Sequence, residues 1–173
     1  DLDDEEYDIS DADKAFNAAY AAYQQGNYFT AIDGFRSACG AGSSTACQNV
    51  SVMTSKGQGT TKDPAAAVDW SRKACDLGNP AGCATYASAL SQGKGTARND
   101  DLAYANYQKA CTGGDASGCI GLGYLQENGR GTVKDLAAAA RNYQLGCDKG
   151  DGVGCSNLAL FYSKGWGVTA DPV

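Results

Sequence analysis

Small and apolar residues recur along this chain at helical spacing, and the spacing itself repeats. Counting back from Cys39, Cys75, Cys111 and Cys147, the eighth residue is Ala31, Ala67, Ala103 or Ala139. The fourth residue back is Phe35, Ser71, Tyr107 or Tyr143, and the first is Ala38, Ala74, Ala110 or Gly146. These offsets lie on one face of an α-helix, termed helix B below. A second helix, helix A, follows. Counting forward from Cys47, Cys83, Cys119 and Cys155, the third residue is Val50, Tyr86, Leu122 or Leu158. The fourth is small (Ser51, Ala87, Gly123, Ala159), and the seventh is Thr54, Leu90, Gln126 or Tyr162. Again one face carries the packing, and its small residue lets a neighbouring helix come close.

The polar positions between these stripes are boundary signals. Asn27, Asp63, Asn99, Asp135 and Asp171 fall on one grid of 36 residues. Each stands just before a helix B, where its side chain can accept from free backbone N–H groups. Pro64 suits a first helical position. Gly42, Gly78, Gly114 and Gly150 follow helix B and can take the left-handed conformation that ends it. Ser43, Asn79, Asp115 and Asp151 come next and are good N-caps for helix A. A Gly-x-Gly at Gly57/Gly59, Gly93/Gly95, Gly129/Gly131 and Gly165/Gly167 then stops helix A and turns the chain back. The chain thus divides into an acidic, mobile tail at 1–13 and a repeat domain at 14–173. The units are about 14–42, 43–78, 79–114, 115–150 and an incomplete 151–173. Asp171-Pro172-Val173 matches Asp63-Pro64-Ala65, the start of a helix B. The natural chain is therefore expected to continue, or a partner to cover this end. An uncapped last helix would leave Leu158 and Phe161 partly bare.

Within this frame the eight cysteines become interpretable. Each pair, Cys39/Cys47, Cys75/Cys83, Cys111/Cys119 and Cys147/Cys155, has one member at the end of a helix B. The other lies in the first turn of the next helix A, so the short turn brings the two sulfurs together. This predicts four disulfides, with Cα atoms about 5.5–6 Å apart. Zinc and thioredoxin-like redox sites compete less well, because C-x2-C spacing is missing and the chain has no histidine. The same absence excludes Ser-His-Asp and Cys-His catalysis. No cofactor or metal is expected. Persistent disulfides imply an oxidising compartment, periplasmic or secreted. The start at Asp1 rather than Met fits a leader already removed.

Composition changes the picture only in one place. The net charge is −6, yet eight of the twenty acids lie in the first thirteen residues. From Lys14 onward 12 acids face 14 bases, a net +2, so the repeat domain is nearly neutral. It carries no basic stripe of the kind nucleic acids require, and no apolar run approaches the ~18 residues of a membrane span.

The 36-residue helix-turn-helix unit, its Gly-x-Gly and its A-x3-[FY]-x2-A-C helix resemble the Sel-one-like repeat (SLR) family. The C-x7-C pairs look like its cysteine-rich secreted bacterial branch, typified by the Helicobacter cysteine-rich proteins. The first unit, AYAAYQQGNYFTAIDGFRSA from Ala19 to Ala38, is similar to a tetratricopeptide repeat. The resemblance implies an all-α, right-handed α/α superhelical solenoid whose helix-A side forms a concave groove. The groove positions it implies are the first, fifth and eighth residues after the second cysteine of each pair. Among them Gln48, Val52, Ser88, Ile120, Tyr124, Glu127 and Leu160, with Tyr20 and Tyr23 in the first unit, are the candidate partner-binding residues.

Two other motifs invite chemistry. GQGT, GKGT, GRGT and GWGV follow helices rather than strands, which makes them turns and not phosphate loops. SQGK, Ser91 to Lys94, matches the S-x-x-K of serine β-lactamases, but no SDN or KTG accompanies it. The leading expectation is a non-enzymatic scaffold that binds a protein, an extended peptide or a cell-wall fragment. Penicillin binding with weak β-lactamase activity, implied only by the resemblance, is the alternative. A structural spacer within a longer envelope protein is another.

Overall fold

The computed structural model describes residues 10–168. Among these, nine α-helices occur and no strand: α1 (Asp11–Gln24), α2 (Tyr28–Gly40), α3 (Ser44–Lys56), α4 (Pro64–Asp76), α5 (Pro80–Gln92), α6 (Asp100–Thr112), α7 (Ala116–Asn128), α8 (Leu136–Asp148) and α9 (Gly152–Lys164). The odd-numbered helices are the A helices and the even-numbered ones the B helices. Asn27, Asp63, Asn99 and Asp135 cap α2, α4, α6 and α8 through their side-chain oxygens. Ser43, Asn79, Asp115 and Asp151 do the same for α3, α5, α7 and α9. The first helix starts earlier than the sequence suggested. Ser10 accepts from the Asp13 N–H and opens α1 at Asp11, so the end of the acidic 1–13 segment is helical. Asp11 and Asp13 fall in its first turn, where the helix dipole favours negative charge. The rest of that segment and Asp171–Val173 lie outside the described residues.

Two kinds of junction alternate. Within a unit, A and B pack along their length as a hairpin (α1 with α2, α3 with α4, and onward). Between units, each B helix meets the next A helix over a smaller contact. The four disulfides sit at these smaller junctions and join Cys39–Cys47, Cys75–Cys83, Cys111–Cys119 and Cys147–Cys155. The paired Cα atoms are closer than expected, 4.8 Å at the first junction and 4.4 Å at the others. Small residues explain this. A Cβ placed on Gly118 would stand 2.5 Å from the Cβ of Ala110, and one on Gly82 2.6 Å from that of Ala74. At the widest junction the same position is Ala46, and its methyl holds the helices slightly apart.

The second glycine of each Gly-x-Gly has a role the periodicity alone does not reveal. Gly131 sits at φ +65° and lies against the start of α6, one unit back; a Cβ there would be 2.2 Å from the Asp100 carbonyl oxygen. The turn therefore both ends helix A and docks backbone on backbone across units. The last helix also departs from expectation. Leu158 and Phe161 are only 8% and 1% exposed, not bare. Phe161 meets the edge of Tyr143 at 5.3 Å between centroids on one side and Trp166 of the final turn at 5.7 Å on the other. The large hydrophobic residues left open there are Val153, Leu160, Tyr162 and Trp166.

A nine-residue disulfide ring contributes about 2.5 kcal/mol in the chain-entropy account. Replacing Cys111 and Cys119 together by alanine is expected to lower the unfolding free energy in urea by about that amount. Gly118→Ala should cost about 1–2 kcal/mol, since its methyl would stand 2.5 Å from the Ala110 Cβ and 2.8 Å from the Cys111 backbone nitrogen and the junction must open towards the wider spacing seen at Ala46. Gly118→Val should cost more than about 2 kcal/mol, because its branched carbons have no space against Ala110.

Candidate interaction face

The A helices touch in succession, α3 to α5, α5 to α7 and α7 to α9, and present one continuous side of the array. On it the candidate residues form a row rather than a cluster. Tyr20 is 48% exposed, Tyr124 47% and Leu160 46%, each on a helix fixed by a cap and a disulfide junction or hairpin. Tyr20 lies parallel to Phe16 at 6.2 Å, and Tyr23 tilts against Tyr28 at 5.3 Å. Tyr20, Tyr23 and Val52 come together around a small cleft of about 110 Å³ floored by Phe35 and Met53.

Further along, Gln48 donates from Nε2 to the Thr85 hydroxyl at 2.9 Å, tying α3 to α5. Its Oε1 is buried and finds no donor among the described residues. Ser88 accepts from Gln92 and lines a larger cleft of about 430 Å³ formed by α3, α4 and α5 together with Tyr107 of α6 and Ser117 of α7. The scaffold uses the remaining two candidates. Glu127 accepts from the Tyr143 hydroxyl at 2.6 Å. Ile120 is half-buried against the core that α8 and α9 share with Tyr143 and Phe161. Burial, and then the bond to Glu127, pushes the Tyr143 hydroxyl far above its ordinary range.

The strongest polar feature of this face involves residues that the repeat pattern treats as variable. Arg130, the middle of GRGT, reaches one unit back and binds Asp100 through Nε at 3.1 Å and Nη2 at 2.7 Å. Arg98 joins the same carboxylate, and Tyr124 lies under the Arg130 guanidinium at 5.7 Å. Hydrogen bonds from Arg130 and then Arg98 hold the Asp100 carboxyl well below the usual carboxylate range. Arg130 Nη2 also donates to the Ser91 carbonyl at 2.6 Å and to its hydroxyl at 3.3 Å. Ser91 is thus a buried acceptor in an ion-pair network, while Lys94 lies on the lining of the larger cleft, to which Ser91 does not belong. The S-x-x-K match has a structural use here. The one sequence signal for this network was an arginine in a turn slot held elsewhere by Gln58, Lys94 and Trp166.

The Sel1 repeat matches residues 44–79, 80–115, 116–151 and 152–173. The chain belongs to the Sel1 repeat family. No curated protein sequence matches it beyond that. Three solved structures are similar. A protective antigen of uropathogenic Escherichia coli with an SLR fold is 30% identical, with a TM-score of 0.84 over 92% of this chain and 35% of its own. A Sel1 repeat protein from Oxalobacter formigenes is 25% identical, with a TM-score of 0.82 over 91% of this chain and 65% of its own. Cysteine rich protein B of Helicobacter pylori is 26% identical, with a TM-score of 0.57 over 81% of this chain and 94% of its own. The chain thus spans about a third of the first of these proteins and just under two thirds of the second. Sel1 repeat proteins generally mediate protein–protein interaction. No described helix of this one is long and apolar enough to cross a membrane.

The network gives a signed pH prediction. Asp100 and Arg130 are about a fifth exposed, and Arg130→Met removes a bidentate charged contact worth about 2 kcal/mol at neutral pH. The folded carboxyl has a depressed pKa, so its stabilising effect is present above the unfolded value of about 3.9 and is lost as pH falls towards the folded one. In urea titrations the gap between wild type and variant should be full at neutral pH and shrink steadily below that unfolded value. A gap independent of pH would separate the loss from this carboxylate.

Proposed function

We propose that this Sel1 repeat chain is a non-enzymatic interaction scaffold in an oxidising compartment, the periplasm or the outside of the cell. Its helix-A face holds an extended segment of a protein partner. The observation that carries this reading is a row of Tyr20, Tyr124 and Leu160, each nearly half exposed on a backbone pinned at every junction. Rigid aromatic and apolar side chains lose little freedom on binding and are common energetic anchors.

Four disulfides support the compartment. The Ser91 hydroxyl faces Arg130 instead of a lysine, which leaves no activated nucleophile for the β-lactamase alternative at this motif.

The test uses peptides selected against the full oxidised chain from a displayed random library. Affinity of a selected peptide should fall at least about tenfold for Tyr124→Ala, and further for Tyr20→Ala combined with it, with helicity and melting unchanged. Unchanged affinity in the double variant would remove this face as the site.

A further inference from the structure

The two kinds of helix differ in charge as well as in packing. The B helices carry six carboxylates, Asp33, Asp69, Asp76, Asp100, Asp101 and Asp148. Two of them stand beside an arginine one turn on, Asp33 with Arg36 and Asp69 with Arg72. Helices α3, α5, α7 and α9 together carry one, Glu127, and it accepts from the Tyr143 hydroxyl. The other charges on these four helices are Lys56 and Lys164, each the last residue of its helix.

Cations gather where the A helices end. Every unit from the second onward places one at the final residue of helix A or in the turn after it: Lys56, Lys94, Arg130 and Lys164. A second set, Lys62, Arg98 and Lys134, follows on the 36-residue grid. The turn geometry fixes where these begin. A Cβ on the first glycine of each turn would lie 3.2 Å from that of Lys62, 3.4 Å from that of Arg98 and 3.3 Å from that of Lys134. Each of the three side chains therefore starts directly against the end of a helix A. Two rows of cations border the helix-A face along this turn edge, whereas at the opposite ends the caps of α7 and α9 are Asp115 and Asp151.

Most carboxylates on the turn edge are already engaged. Asp63 and Asp135 accept backbone N–H groups as caps, and Asp100 is shared by Arg98 and Arg130. Lys56, Lys62, Lys94, Lys134 and Lys164 are exposed, and among the described residues none of them forms an ion pair. Helix dipoles draw cations to such ends. They do not account for the loss of carboxylates from the sides of the same helices, which the B helices retain. Two of the cations also reach the face itself: Lys94 lines the cleft that contains Ser55 and Ser88, and the Arg130 guanidinium lies over the Tyr124 ring.

We infer that the partner segment held on the helix-A face is acidic, with its carboxylates along the turn edge on Lys56, Lys94 and Lys164 and its apolar side chains on Tyr124 and Leu160. The inference rests on the helix-A face being the binding surface and names the chemistry of what it holds. Successive side chains of an extended segment point to opposite sides, so one segment meets both the row and the edge. A single-stranded nucleic acid fits less well. Its phosphates repeat at every nucleotide, whereas these cations stand among Asp63, Asp100, Asp101 and Asp135. The chain's own acids at 1–8 are placed less well too, since the turn of the first unit, Gln25-Gly26-Asn27, holds no cation.

The experiment selects peptides from a displayed random library against the full oxidised chain, sequences the enriched pool and measures affinities at about 50 mM and about 500 mM salt. The pool should be enriched in Asp and Glu over the input library. At low salt, affinity should fall at least about tenfold in Lys56→Glu combined with Lys94→Glu, and this loss should shrink at high salt. Lys109→Glu combined with Arg141→Glu changes the net charge equally at exposed helix-B positions and should cost far less. A pool without acidic excess, a loss in the edge pair no greater than in the helix-B pair, or capture of oligo(dT) as tight as that of the peptides would each overturn the inference. So would a gain of about tenfold or more when the acids at 1–8 are replaced by amides, which would assign the edge to the chain's own segment. Peptides that lose affinity in Tyr124→Ala but keep it in the edge pair would overturn the acidic partner and leave the face standing. Loss in both supports the two together.

Discussion

Everything in this molecule depends on how closely one helix B approaches the next helix A. That junction is the smaller of the two in each repeat and buries less than the hairpin, so it is where a helical array would otherwise slip. Three features act on it together: a glycine turn, a pair of small residues such as Ala110 and Gly118, and a disulfide one residue further along on each helix. The small residues set the distance and the sulfur bridge keeps it in the unfolded ensemble as well as in the folded one. Either alone would leave a weakness. Without the small residues the bridge could not close at 4.4 Å, and without the bridge the contact is a few methyl groups.

A second set of contacts runs across units on the turn side of the array. Gly131 brings backbone against the start of α6, and Arg130 beside it clamps Asp100 and Ser91. The turn after one helix A therefore locks the beginning of the previous helix B. Successive units are held at two points on opposite ends of their helices. A frame held in this way can keep tyrosines and a leucine exposed on one side without collapsing around them, which is what a preorganised binding face requires.

What the sequence made legible and what it hid divide along physical lines. Caps, glycine turns, small junction residues and cysteine pairs must recur in every unit, because every unit solves the same packing problem; the 36-residue beat displays them directly. The four bridges and the helix boundaries were readable for that reason. Contacts made once were not. Arg130 with Asp100 joins two positions that the pattern leaves free, and no periodicity marks them. Trp166 covering Phe161 was hidden in the same way, so the last helix looked bare in sequence and is closed in structure. The start of α1 at Asp11 follows from a single capping serine inside an acidic run, where charge suggested a solvated tail. Of the face residues, Tyr20, Tyr124 and Leu160 are nearly half exposed, while Ile120 and Glu127 also serve the scaffold.

The Ser71 site lies between these two classes. Its anomaly is visible in the sequence as one serine in a column of rings, but the column cannot tell whether neighbours close the gap. A missing side chain in an ordinary core costs stability in proportion to the space left, about 24 cal/mol per Å³, and cores relax to reduce it. Here the neighbours close over the serine: Ser71 and Ser51 are 0% and 1% exposed, and the Ser71 hydroxyl donates to the Val68 carbonyl at 2.8 Å. A repeat protein can vary its surface without risk, but a change in its core must be absorbed by the neighbours, and at Ser71 they absorb it within a frame whose spacing the disulfide junctions fix on both sides.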